Sequence, residues 1–316
     1  MSGTVPAQFC LLSEMHRLRV TGGDRGAFLH NFCTNSVTGL KPGQHREGFF
    51  TDVRARILAH GYVAAGDEEY QIVMLGGDEA ALQKHLSRYV ITEDVAVSSE
   101  SFPEKTVAVF GPDALRIAGI VVKTDSSSAP ISGTCGRGQD VFFLSTEWNN
   151  TPLIFFFPET SDSASHLQQQ LTENGAVATD RSAFDRLRIP ERFPIVGQDV
   201  TDDHLAPEAG RNRQAISYTK GCYLGQEPIA RIDAMGHVNR SLRFAEARVV
   251  PESSGTDSSA TAPSGEVLPL VTSAVQCEED GVLEVLIVLA EKARTSGEPV
   301  FARLADGKTV SLTDFR

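Results

Sequence analysis

Three strand-like runs follow one another between residues 48 and 75, GFFTDV, RILAHGYVAA and EYQIVML, separated only by turn-forming or charged residues. Helical spacing resumes afterwards in GGDEAALQKHLSRYV, where Leu82, Leu86 and Tyr89 share a face. Strands that come in groups, with helices between the groups, favour an α+β architecture over a doubly wound parallel sheet. The same alternation opens the chain: MHRLRVTG reads as a half-buried strand, and Asp24 is placed to cap a helix through AFLHNF. It recurs in KTVAVFG followed by PDALRIAG, and in the aromatic strands DVFFLS and PLIFFFP. Helices are predicted over SDSASHLQQQLTENG and DRSAFDRLRI.

The texture changes after residue 240. LRFAEARVV, EVLPLVTSAV, VLEVLIVLA, PVFARLA and KTVSLTD all read as strands joined by Gly/Pro turns, predicting a small all-β barrel or sandwich. Residues 251–266 cannot contribute a core and are predicted as a flexible surface loop, and 126–133 as a shorter one. The expected division is therefore 1–240 and 241–316. A chain of 316 residues is long enough for more than one core.

The totals narrow the function classes. Mean hydropathy of −0.14 and the absence of a long apolar run argue against a membrane protein. No basic segment followed by an apolar one opens the chain, so the cytoplasm is the expected compartment. Cys10, Cys33, Cys135, Cys222 and Cys277 lie far apart and are odd in number, which predicts reduced thiols. No metal site is expected, since no CxxC, HExxH or zinc-finger spacing occurs. A net charge of −12 disfavours general attraction to nucleic acid.

One segment breaks that charge trend. From 211 to 243, six basic residues (Arg211, Arg213, Lys220, Arg231, Arg240, Arg243) stand against Glu227 and Asp233, a local +4. At its centre, TKGCYLGQEPIAR places Cys222 between Gly221 and Gly225, which predicts a tight, exposed loop with a reachable thiol. Lys220 beside the thiol is expected to favour the thiolate, the nucleophilic and metal-binding form. From composition alone, a half-buried structural cysteine and a solvated basic face explain the segment equally well.

Leu205-Ala206-Pro207-Glu208-Ala209-Gly210, then Ile216 through Arg231, then Gly236 and Arg240-Ser241-Leu242, together resemble the signature of the YgfZ family. That family comprises folate-binding relatives of the glycine-cleavage T protein that support iron-sulfur proteins. The resemblance implies two T-protein-like (ferredoxin-like) α+β domains around a folate pocket, completed by a C-terminal β-barrel. It also implies Cys222 as the functional thiol, in a loop carrying Lys220, Gly221, Tyr223, Gly225, Gln226, Glu227 and Arg231. Tetrahydrofolate or a derivative is the implied cofactor, with Arg188, Glu191, Tyr223 and Arg231 as its contacts. Iron-sulfur clients or assembly proteins are the implied partners.

Two departures from the T protein stand out. Its GGxxDD-like segment corresponds to Ala55-Arg56-Ile57-Leu58-Ala59-His60, which has no carboxylate; His60 is the remaining titratable candidate for a base, though it also reads as structural. Its LRxExG-like pattern, whose glutamate contacts the pterin, corresponds to Leu187-Arg188-Ile189-Pro190-Glu191-Arg192, with proline at the glutamate position and arginine at the glycine. The leading expectation is a folate-binding accessory factor for iron-sulfur proteins. The alternatives are an aminomethyltransferase, a docking protein that has lost folate, and a hydrolase-like Cys222–His237 dyad.

Overall fold

The computed structural model describes residues 6–99, 105–122, 132–138, 140–250, 268–277, 281–296 and 298–316. The segment 251–266 and most of 126–133, both predicted as loops, lie outside the described residues.

The consecutive strands expected after residue 44 form His45–Thr51, Ile57–Ala65 and Glu69–Leu75, paired antiparallel. Met15–Thr21 and Ala96–Ser99 extend this sheet to five strands. The preceding strand, Gln8–Leu12, which periodicity missed because it is only five residues long, crosses into a second sheet. There it pairs antiparallel with Thr106–Phe110, and that sheet continues through Thr151–Pro158, Val141–Trp148 and Cys135–Gly138. The chain thus interleaves its first two sheets. They share a core in which Tyr62, Val73 and Leu75 of one meet Phe110, Phe142, Phe155 and Phe157 of the other.

Helices cover the outer faces. Arg25–Phe32 and Glu79–Ser87 seal the first sheet through Phe28, Leu29, Leu82 and Leu86. Ala114–Val121 and Ser161–Glu173 seal the second through Ile117, Leu167 and Leu171. Asp24 stands at the first helix's start but does not cap it: its carboxylate accepts from the Asp94 amide instead. Asp78 does cap Glu79–Ser87, accepting from the Ala81 amide at 2.8 Å.

The C-terminal strands form an antiparallel sheet in the order Val271–Gln276, Val282–Ala290, Arg240–Val249, Thr309–Thr313, Val300–Arg303. Its two edges touch at one bridge, Leu270 with Arg303. The expected barrel is therefore not closed by a continuous ladder; the sheet curls until its edges meet at a single point. A central core joins it to the rest, with Phe49, Ile57, Ile189, Tyr223 and Ile229 packed against Leu242, Phe244 and Leu286.

Candidate functional site

The chain from Gln214 to Gly225 is stitched onto the first sheet and its helix. Asn35 donates to the Gln214 carbonyl at 2.8 Å, the Thr34 hydroxyl to the Ala215 carbonyl at 2.6 Å, and the Ser217 amide to the Thr34 carbonyl at 3.0 Å. Lys220 then turns inward. Its ammonium donates to the carbonyls of His30, Cys33 and Asn35 at 2.5, 2.7 and 3.1 Å, and lies 4.8 Å from the centre of the Tyr223 ring. Burial pulls its pKa down to about 8. The lysine expected to favour the Cys222 thiolate instead closes the end of helix Arg25–Phe32, where free carbonyls need donors.

Beyond the cysteine the chain is fixed again. The Leu224 amide donates to the Asn31 carbonyl at 2.9 Å, and the Thr51 hydroxyl donates to the Leu224 carbonyl at 3.0 Å. Gly225 adopts φ +84°, and a Cβ there would lie 2.5 Å from the Thr51 hydroxyl oxygen and 2.7 Å from the Asp52 carbonyl oxygen. Only glycine fits. Gly221 has no such requirement, since its φ is not left-handed and a methyl group there would point into open space. Cys222, between these anchors, is exposed, while Cys10, Cys33 and Cys135 are buried and Cys277 is half-buried.

Gly225 also starts the helix Gln226–Met235, which the glycine-rich reading did not anticipate. Pro228 sits in its first turn, where a missing amide costs nothing. Gln226 is half-buried, whereas Glu227 and Arg231 are exposed on it. Tyr223 is buried in the central core, with its phenol pKa raised by burial.

Much of the basic island is engaged within the protein. Arg211 is buried and paired, Arg240 pairs with Glu208, and Arg243 pairs with Glu291. With Lys220 turned inward, Arg213 and Arg231 are left as its exposed charges.

Arg188 and Glu191, expected on one ligand, enter different networks. Arg188 is fully buried and donates to Asp185 (2.8 Å), the Phe193 carbonyl (2.9 Å), Asp199 (2.7 Å) and the Ser273 hydroxyl (2.7 Å). It ties helix Arg181–Glu191 to the C-terminal sheet. Glu191 accepts from Arg211 at 2.7 Å and from the Asn149 amide at 3.1 Å.

Arg211 leads to a group that the sequence reading missed. Glu47 accepts from Arg211 Nε at 2.8 Å and Nη2 at 2.7 Å, and its Oε1 lies 2.9 Å from His60 Nε2. His60 is completely buried between the rings of Phe49 and Phe193. Burial alone would raise the Glu47 carboxyl, but the bonds and charge of Arg211, with His60, outweigh it and hold it down to about 2. Burial lowers the His60 pKa, with Glu47 opposing. A carboxylate thus does lie against His60, supplied by the neighbouring strand: Phe49 pairs with His60, so Glu47 sits diagonally on the same face. Strand register is the signal that could have found it.

The GCVT N-terminal domain profile matches residues 7–134. A candidate chloroplastic transferase of Arabidopsis thaliana is 27% identical over 239 residues, covering 70% of this chain and 52% of that protein. This chain therefore spans about half the length of that relative. The tRNA-modifying protein YgfZ of Colwellia psychrerythraea is 42% identical over 76 residues, 23% of each chain. YgfZ of Hamiltonella defensa matches more widely, at 25% identity over 76% of this chain and 70% of its own. The glycine cleavage system aminomethyltransferase T of Bartonella henselae superposes with a TM-score of 0.75 at 16% identity, covering 98% of this chain and 86% of that one. No helix among the described residues is long and apolar enough to cross a membrane. The signature residues and these matches together make the chain similar to the YgfZ family, on an aminomethyltransferase-like fold.

Proposed function

We propose that this chain is a folate-binding accessory protein for the assembly or repair of iron-sulfur proteins, acting through the Cys222 thiol. The observation that carries the reading is the loop itself. A thiol is held out to solvent between two anchored points, Lys220 and Gly225, on a T-protein fold. An exposed cysteine without a structural partner is available for chemistry in a way that the buried cysteines are not.

The residues present fit a folate in part. Glu191 is a carboxylate fixed by Arg211 and the Asn149 amide, with its side chain still 17% exposed, and it suits a ring that donates N–H groups. Arg231 is exposed and available to an anionic tail, whereas Tyr223 is packed in the central core with the Lys220 ammonium over its ring. Arg188 is fully engaged by protein and is not part of that set. When bound, the folate would supply one-carbon or redox chemistry, and the chain's own part is to orient it and to present the thiol.

Glu47 bears on the rival transferase reading. Its oxygens are engaged by Arg211 and His60, and it is ionised deep in the protein. It therefore lacks a free site from which to take a substrate proton, which favours an accessory role over aminomethyl transfer.

Two measurements test the proposal. Calorimetry with tetrahydrofolate should give saturable binding. A strain lacking the chain should lose activity of an iron-sulfur enzyme that modifies tRNA, a choice guided by the name of the relatives, and Cys222→Ala should fold normally yet fail to restore it. Full rescue by that variant removes the thiol from the mechanism. Transfer of a one-carbon unit from an aminomethylated carrier protein to tetrahydrofolate would establish the rival instead.

A further inference from the structure

The strand Arg240–Val249 turns Leu242 and Phe244 into the central core, and Ala245 and Ala247 into the core of the C-terminal sheet. Arg243 shares the second of these faces and is half-buried. Its Nη2 donates to Glu291, but its Nε is buried and, among the described residues, has no acceptor. A second atom without a partner lies in the segment leading to the cysteine loop. Asn212 opens the short helix Asn212–Ala215, and its side-chain oxygen is buried with no donor among the described residues. Native interiors seldom leave such atoms unsatisfied, least of all a donor on a cation.

Both residues line one cavity of about 510 Å³, a size typical of small-molecule clefts. Asp233, His237 and Glu291 bring titratable groups to its wall, and Ile232 and Val238 bring apolar surface. A donor on a guanidinium calls for an anionic oxygen. An amide oxygen, in a cavity that already holds two carboxylates, calls for a cationic N–H. A bare phosphate or carboxylate leaves Asn212 unsatisfied and adds negative charge to the Asp233 and Glu291 side of the wall. A bare amine leaves Arg243 Nε unsatisfied. A small molecule that carries both groups answers both atoms.

We propose that this cavity binds a free α-amino acid, with its carboxylate on Arg243 Nε and its ammonium on the Asn212 side-chain oxygen. Glu291 holds the guanidinium in place, and Ile232 and Val238 receive the ligand's side chain. The site is independent of the folate reading. The glutamate nitrogen of tetrahydrofolate is acylated, so that molecule offers carboxylates without the ammonium.

The test is the thermal midpoint of the full chain titrated with each of the twenty standard amino acids, at ionic strength held constant with chloride. At least one should stabilise the wild type saturably. Its N-acetyl and its carboxamide derivatives should each bind about tenfold more weakly, the usual scale for losing one charge-assisted bond. Asn212→Leu and Arg243→Gln should each weaken the free amino acid by a similar factor, whereas Asn212→Asp, which keeps an acceptor, should bind at least as well as the wild type. The Asn212 pair decides the matter should Arg243→Gln fail to fold. The proposal fails if no amino acid stabilises the wild type, if the blocked derivatives bind as tightly as the free one, or if Asn212→Leu binds like the wild type. It fails also if tetrahydrofolate displaces the amino acid, since the cavity would then belong to the folate. A chain that binds the amino acid but no tetrahydrofolate overturns the folate reading and leaves this one intact.

Discussion

Glu47 concentrates the electrostatics of the interior on one carboxylate. Because its folded pKa lies near 2, below the ordinary 4.5, its contribution is fully present above pH 4.5 and is lost as the pH falls through 2. Wild-type stability should decline across that window, and Glu47→Gln should flatten the decline. The same variant at pH 7 leaves Arg211 buried against a neutral amide and should cost about 3 kcal/mol or more in urea unfolding. An unchanged acid limb would mean that other carboxylates govern it. Neither the pair nor its consequence could be read along the sequence, because Glu47 and His60 meet only through antiparallel register. His60 taken alone gave two readings, and the structure places it among aromatic rings. Lys220 misled for a related reason: adjacency to Cys222 said nothing about which way its long side chain turned.

At the scale of elements, the two glycines of the cysteine loop are not equivalent. Gly225→Ala must place a methyl against Thr51 and Asp52 in a left-handed conformation, which costs about 1–2 kcal/mol for the backbone alone and more for the clash. It should lower the thermal midpoint and release the loop. Gly221→Ala meets open space and should leave stability within about 0.5 kcal/mol of the wild type. Equal losses in both would show that the loop is not anchored as described. Most elements here were legible, since strands such as Glu69–Leu75 and helices such as Ser161–Glu173 carry their own periodicity and caps. Gln8–Leu12 was too short to show a pattern, and Gln226–Met235 was obscured by the glycine and proline that begin it.

Across the whole molecule, Arg188 is the fully buried arginine among the polar ties between the upstream fold and the C-terminal sheet. It meets Asp199 and Ser273, and Asp199 also accepts from the Thr272 and Ser273 hydroxyls. Arg188→Met strands a fully buried aspartate and should cost about 3–5 kcal/mol. Hydrogen exchange should then accelerate in Val271–Gln276 before the strands of the first sheet. Uniform acceleration everywhere would mean that the molecule unfolds as one unit. The strand content of the C-terminal region followed from composition, but its closure did not, because the meeting of Leu270 with Arg303 depends on curvature that no local pattern encodes.

The unequal exposure of the five cysteines has a practical side. Burial pushes the Cys10 and Cys135 thiols up to about 12 and Cys33 to about 11, so these are poor nucleophiles at neutral pH as well as covered. A brief maleimide pulse on the native chain should therefore label Cys222 ahead of the half-buried Cys277, without engineering, as a reporter whose backbone is tethered to His30–Asn35 on one side and Thr51 on the other.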